Sequence, residues 1–150
     1  MAIPGAVSEL SNEFLERMIN HRVDGCEIAS FEPDPEFLVQ GRASDVVRIE
    51  LSHTVLGCSP ESVIIKFPIL DAAAYVFGCY RREADIFALL GEHDDLAVPE
   101  MYGSEAGDDP NFVVIVLEEI KGARTVSPTE GCSVEESTEV LRNIARIHSR

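Results

Sequence analysis

A chain of 150 residues fits one domain with a workable core, or one lobe of something larger, and 45% hydrophobic content is ordinary for a globular protein. Its formal charge of −15 sets the average field against nucleic acid and anionic lipid, although a local cluster of donors can still hold a nucleotide. No run approaches the roughly 20 apolar residues of a membrane span, so no membrane partner is expected.

The N-terminus carries Glu9, Glu13 and Glu16 and lacks a basic-then-apolar leader, so a cytoplasmic location is expected. Ser8 to about Asn20 reads as a short amphipathic helix with Leu10, Phe14, Met18 and Ile19 near one face. Glu27 to Phe31 is a strand candidate, and Pro33 and Pro35 break the chain before Phe37-Leu38-Val39, a segment ending at Gly41. Val46 to Leu51 is the next strand, Cys58-Ser59-Pro60 a turn, and Ser62 to Phe67 a further strand. A helix follows over about Gly78 to Leu90, and Val98-Pro99 starts a short connection. Met101 to Ser104 and Phe112 to Leu117 are strands joined by the turn-rich Gly107-Asp108-Asp109-Pro110-Asn111. Ser133 and Glu136 have capping-box spacing, and Val134, Ser137, Thr138, Leu141, Ile144, Ala145 and His148 recur at helical intervals. That pattern meets no stop signal by Arg150, so a truncated piece of a longer protein is expected. Cys26, Cys58, Cys79 and Cys132 form no Cys-x-x-Cys pair and read as buried, reduced thiols.

Three features carry chemistry. Lys66, one of only two lysines, sits in the apolar strand Ser62-Val63-Ile64-Ile65-Lys66-Phe67-Pro68. Alternation puts Ile64 and Lys66 on one face and Val63, Ile65 and Phe67 on the other. An ammonium there either snorkels to water or meets an anion. The second feature is Glu83. The stripe Val76, Tyr80, Glu83, Phe87, Leu90 places this carboxylate on a helix face that otherwise seeks the core, where Lys66 is the obvious partner. The alternative is a position at the stripe's edge, paired with Arg82 or with water. The third is Phe112-Val113-Val114-Ile115-Val116-Leu117-Glu118-Glu119-Ile120-Lys121-Gly122. Its continuous apolar run signals a strand buried on both faces. The polar segment after it is either an ordinary strand end or a source of free backbone groups for a planar ligand.

In order, these elements resemble the N-terminal lobe of the kinase-like phosphotransferases, the superfamily of aminoglycoside phosphotransferases, choline kinases and ecdysteroid-kinase-like enzymes. The likeness runs from about Glu27 to Arg150. It rests on Val63-Ile64-Ile65-Lys66-Phe67-Pro68 as a lysine strand, Tyr80-Arg81-Arg82-Glu83 as a Y-x-x-E helix, Val98-Pro99-Glu100-Met101-Tyr102-Gly103 as the link after it, Val114 to Gly122 as a hinge strand, and Leu141 to His148 as a helix opening a C-terminal lobe. Gly131-Cys132-Ser133 and the Lys66-Phe67-Pro68 ending lean toward the ecdysteroid-kinase-like branch.

The resemblance implies an α+β fold: a kinase-like N-lobe with a twisted antiparallel sheet of about five strands, one packed helix, and the first helix of a C-lobe. It divides the chain into a lead-in over 1–25, the lobe over 26–122, and a linker with helix over 123–150. By resemblance the chain is the ATP-binding lobe of a small-molecule O-phosphotransferase. The complete enzyme would move the γ-phosphate of MgATP to an alcohol acceptor. Lys66 would contact the α/β-phosphates and Glu83 would hold its ammonium. The Glu118 carbonyl and Ile120 amide would meet the adenine edge, with Leu117 behind it. Gly41-Arg42-Ala43-Ser44-Asp45 would cover the phosphates. The general-base aspartate and the Mg²⁺ ligands are expected beyond Arg150, so the piece alone is expected to be inactive, and His148 is read as structural. A non-catalytic, pseudokinase-like interaction module is the alternative function.

Overall fold

The computed structural model describes the chain apart from residues 1–2, 38, 41–43, 71–77, 94, 123–128, 130 and 150, and apart from the side chains of residues 39 and 40. Its centre is an antiparallel sheet. In chain order the strands are β1 (Ile28–Pro33), β2 (Val39–Gln40), β3 (Ser44–His53), β4 (Ser62–Pro68), β5 (Met101–Ala106) and β6 (Val113–Glu118). Five of them lie side by side as β1-β3-β4-β6-β5, and the two-residue β2 pairs with β3. Among the described residues the α-helices are α1 (Asn12–Ile19), α2 (Cys79–Leu90) and α3 (Val134–His148). The α+β class and the antiparallel sheet match the expectation.

Boundaries shift where a cap or a partner strand decides them. The N-terminal helix begins at Asn12 rather than near Ser8, because the Ser11 hydroxyl accepts the Phe14 N–H and caps it. Val7–Glu9 is a separate 3-10 turn. Strand β3 runs ten residues, four more than its apolar core suggests: the ladder with β4 extends its start to Ser44↔Pro68, and pairing with β1 carries its end to Ile28↔His53. Pro33 closes β1 instead of lying beyond it; β1 is an edge strand, and a residue without an N–H is tolerated there.

Among the described residues two helices cover the sheet, one more than expected. Phe14, Leu15, Met18 and Ile19 of α1 pack on one face with Val47, Ile49, Val63, Ile65, Phe67, Val114 and Val116. Burying each large side chain of this kind contributes about 1.5–3 kcal/mol. Polar ties then fix the helix. Glu16 accepts the Ile28 N–H at 2.7 Å, Asn12 donates to the Ile28 carbonyl at 2.9 Å, and Arg17 bonds Glu105 of β5 at 2.7 Å. The approach to β5 is close enough to require glycine at 103: a Cβ there would stand 2.9 Å from the Met18 carbonyl oxygen.

Helix α2 covers the opposite face, where Tyr80 and Ala84 join Met101, Val113, Ile115 and Leu117, with Ile64 and Phe87 at the margin. Residues Val113–Leu117 of β6 are all buried, as a strand with a helix on each side must be. Helix α3 is different. Its capping box is complete, yet none of its residues is buried. Of the four free thiols only Cys26 is buried, while Cys79 and Cys132 are exposed, which corrects the expectation for them. No helix among the described residues is long and apolar enough to cross a membrane.

Candidate functional site

Strand β4 is the middle of the sheet, paired with β3 on one side and β6 on the other. Its alternation is the one read from the sequence. Val63, Ile65 and Phe67 enter the α1 core, while Ile64 packs at the edge of the α2 core. Lys66 lies on that second face, opposite Val46 of β3 and Ile115 of β6. Its ammonium donates to Glu83 Oε1, an ion pair whose side chains keep 20% and 34% of their exposure. The pair is therefore shielded but reachable from solvent. The snorkelling lysine and the locally paired Glu83 are both set aside by this contact.

Tyr80 is the reason α2 presents Glu83 at that point. Its hydroxyl accepts the Ile69 N–H at 3.0 Å and returns a bond to the Ile69 carbonyl at 3.3 Å. This pins the first turn of the helix to the chain just after β4. Glu83 stands three residues on, on the same helix face, and so meets Lys66. Burial pushes the Tyr80 hydroxyl above its ordinary range, which keeps it a neutral donor.

The remaining expected residues fall into three groups. Leu117 is 5% exposed on the α2 face and pairs with Ile64. Glu118 ends β6; its amide donates to the Glu100 carbonyl at 2.8 Å and its carboxylate accepts the Glu100 N–H at 3.1 Å. Ile120 follows, half exposed. Ser44 and Asp45 belong to β3, paired with Pro68 and Phe67, and Ser44 is buried; they form ladder rather than turn. Gly41, with Arg42, Ala43 and Val76, lies outside the described residues.

One cluster went unnoticed in the sequence. Arg48 of β3 sits opposite Ile64 and donates through Nε to Glu119 Oε1 at 2.8 Å. Its NH1 reaches Glu50 at 2.6 Å and Asp34 at 3.4 Å. The other oxygen of Glu119 accepts the Ser62 hydroxyl. Bonds from Arg48, then from Ser62, hold the Glu119 carboxyl below its ordinary range, and the bonds to Glu119 and Glu50 raise Arg48. The available signal was an arginine inside Val46-Val47-Arg48-Ile49, an expense in a strand unless paired.

One face of the sheet thus carries a half-buried cation held by a carboxylate, a partly exposed apolar floor of Val46 and Ile64, and an ionic wall of Arg48 and Glu119. The rise of about 3.4 Å per residue separates Lys66 from Ile64 by about 7 Å along β4. Such a surface can take a flat apolar group on the floor and an anionic group at Lys66. No protein-family model matches the chain, and no curated protein matches its sequence.

Proposed function

We propose that the chain is the ATP-binding lobe of a small-molecule O-phosphotransferase, whose complete reaction moves the γ-phosphate of MgATP to an alcohol. The observation that carries this reading is the Lys66–Glu83 ion pair, set on the open margin of the α2 face beside Val46, Ile64 and Leu117. An ammonium tied to a carboxylate is held in a set direction, which suits it to phosphate oxygens. The apolar floor, about 7 Å away along the strand, suits the base. The sheet order and the helix bearing Glu83 support a kinase-like N-lobe with the hinge at Leu117-Glu118-Glu119-Ile120.

In this reading Lys66 binds the α/β-phosphates, Glu83 holds Lys66, Leu117 backs the base, and the Glu118 carbonyl and Ile120 amide read its edge. Ser44 lies on the same face one pair beyond Val46, at the phosphate end. Lys66 positions charge and performs no proton transfer. Magnesium fits less well: among the described residues no group of three or more His, Cys, Asp or Glu could hold a metal ion.

Calorimetric titration of the chain with ATP, against its Lys66→Ala variant, tests the assignment. Loss of one charged hydrogen bond to phosphate, about 1.5–3 kcal/mol, should weaken binding roughly 10- to 100-fold. Equal affinities would sink it. A second reading, a non-catalytic interaction module, draws on α3, whose Val140, Leu141 and Ile144 keep 58%, 64% and 42% exposure. Under that reading the chain binds a protein through α3, and the Lys66 substitution leaves that binding unchanged.

A further inference from the structure

Glu119 stands between the two residues whose backbone is assigned to the base edge, and its side chain is tied down at both oxygens. We infer that Arg48 and Glu119 form a clamp that holds the Glu118–Ile120 backbone at a fixed height over the sheet, making Arg48 and Glu119 positioning residues for the nucleotide base. The inference rests on the nucleotide reading of the same face.

The geometry is that of a strut. The chain leaves β6 at Glu118, where pairing with β4 ends at Val63↔Glu118. Beyond that point a segment is free to rise from the sheet unless side chains hold it. Glu118 is held from one side by Glu100, through its amide at 2.8 Å and its carboxylate at 3.1 Å. Glu119 is held from the other side. Arg48 Nε donates to one oxygen at 2.8 Å, and the Ser62 hydroxyl donates to the second. The two donors come from β4, the strand beside the segment, and from β3, one strand further, so the carboxylate is tied across two strands of the sheet.

The arginine is itself immobilised. Glu50 of its own strand accepts from NH1 at 2.6 Å, and Asp34, just past β1, lies 3.4 Å from the same nitrogen. Arg48 keeps only 20% of its side-chain exposure and Glu119 only 21%. A shielded, two-point carboxylate anchor differs from a surface ion pair, which is screened and reorients at little cost. Its placement completes the logic. Arg48 faces Ile64, the floor residue, so the clamp stands at the end of the floor farther from Lys66. A base on Ile64 with phosphates at Lys66 has its outer edge at the clamped backbone. Backbone donors and acceptors discriminate only when their positions are fixed to a fraction of an ångström.

The test pairs backbone relaxation with ligand dissection. In nitrogen-15 relaxation of the full chain, Glu119→Ala and Arg48→Met should lower the order parameters of the Glu119 and Ile120 amides from about 0.85 to below about 0.6. Val114–Val116 should not change. Binding of adenosine should weaken about tenfold in both variants and binding of tripolyphosphate should stay constant. Lys66→Ala should do the reverse. Ser62→Ala, which removes one strut, should show a smaller effect of the same kind if the stronger variants fail to fold. Unchanged order parameters would overturn the clamp whatever the ligand results. A parallel loss of adenosine and tripolyphosphate in the clamp variants would mean general loosening and would overturn the positioning role. A wild-type chain that binds tripolyphosphate but not adenosine, or neither, overturns the nucleotide reading and the base-positioning role together, and the relaxation data still separate that failure from failure of the clamp.

Discussion

The Lys66–Glu83 pair is open to a direct energetic measurement. The perturbation is the double-mutant cycle of Lys66→Met, Glu83→Gln and both together, each substitution keeping most of the side-chain volume. Two unit charges about 4 Å apart attract by about 4 kcal/mol at an effective dielectric near 20. Desolvation of both ions offsets much of that. Fully exposed pairs couple by about 0.2–1 kcal/mol, and removing one partner of a fully buried pair costs about 3–5 kcal/mol. With 20% and 34% exposure the pair falls between these limits, and the exposure of Glu83 discounts it toward the lower. A coupling of about 1.5 kcal/mol is expected, with about 2 kcal/mol lost in Lys66→Met alone, where a half-buried carboxylate is left unpaired. For a domain of this size 2 kcal/mol lowers Tm by about 4–8 °C. The chain has no tryptophan, so urea unfolding followed by far-UV circular dichroism is the suitable assay. A coupling within about 0.3 kcal/mol of zero would refute the argument that the ammonium depends on Glu83.

Three further measurements probe other parts of the structure. The Glu119 carboxyl titrates below its ordinary range because of Arg48 and Ser62, so its contribution is present above the unfolded value of about 4.3 and is lost as pH falls through the lower folded value. Glu119→Gln should therefore flatten the fall of Tm from about pH 5 to pH 3; an identical acid slope in both proteins would contradict the assignment. Gly103→Ala puts a methyl 2.9 Å from the Met18 carbonyl oxygen and 3.3 Å from its Cα, backbone that yields only by moving α1, and a loss of about 1–3 kcal/mol in urea unfolding should follow. Unchanged stability would show that α1 does not sit against β5 so closely. Ser133→Ala removes the capping box of α3 at a cost of about 1 kcal/mol. With no α3 residue buried, the loss should stay local: amide protection in α3 falls about fivefold, and the Tm of the sheet is unmoved.

The legible parts of the site were those governed by local periodicity. A two-residue repeat separated Lys66 from Ile65, and helical spacing placed Glu83 with Tyr80, so the pair followed once α2 was set on that face. The capping box was likewise readable, because Ser133 and Glu136 determine it between themselves. What escaped depended on distant partners. Arg48 and Glu119 lie 71 residues apart, and nothing near either marks the other. Strand β3 outran its apolar core because its ends are set by the ladders with β4 and β1, and pairing with β4 moved Ser44 from turn to strand. Helix α1 was visible as a helix, but its role as the cover of the second sheet face was not, since that depends on Gly103 and Glu105, far along the chain.

The central place of β4 has a consequence for how the lysine behaves in time. A functional group on a loop can be displaced by a local opening that costs little. Lys66 has no such route, because its strand is bonded into the ladder on both edges and roofed by helices on both faces. Displacing its backbone means breaking the sheet in two. The backbone that carries the ammonium therefore moves only when the sheet itself opens, and the Lys66 amide is expected among the slowest-exchanging of the described residues.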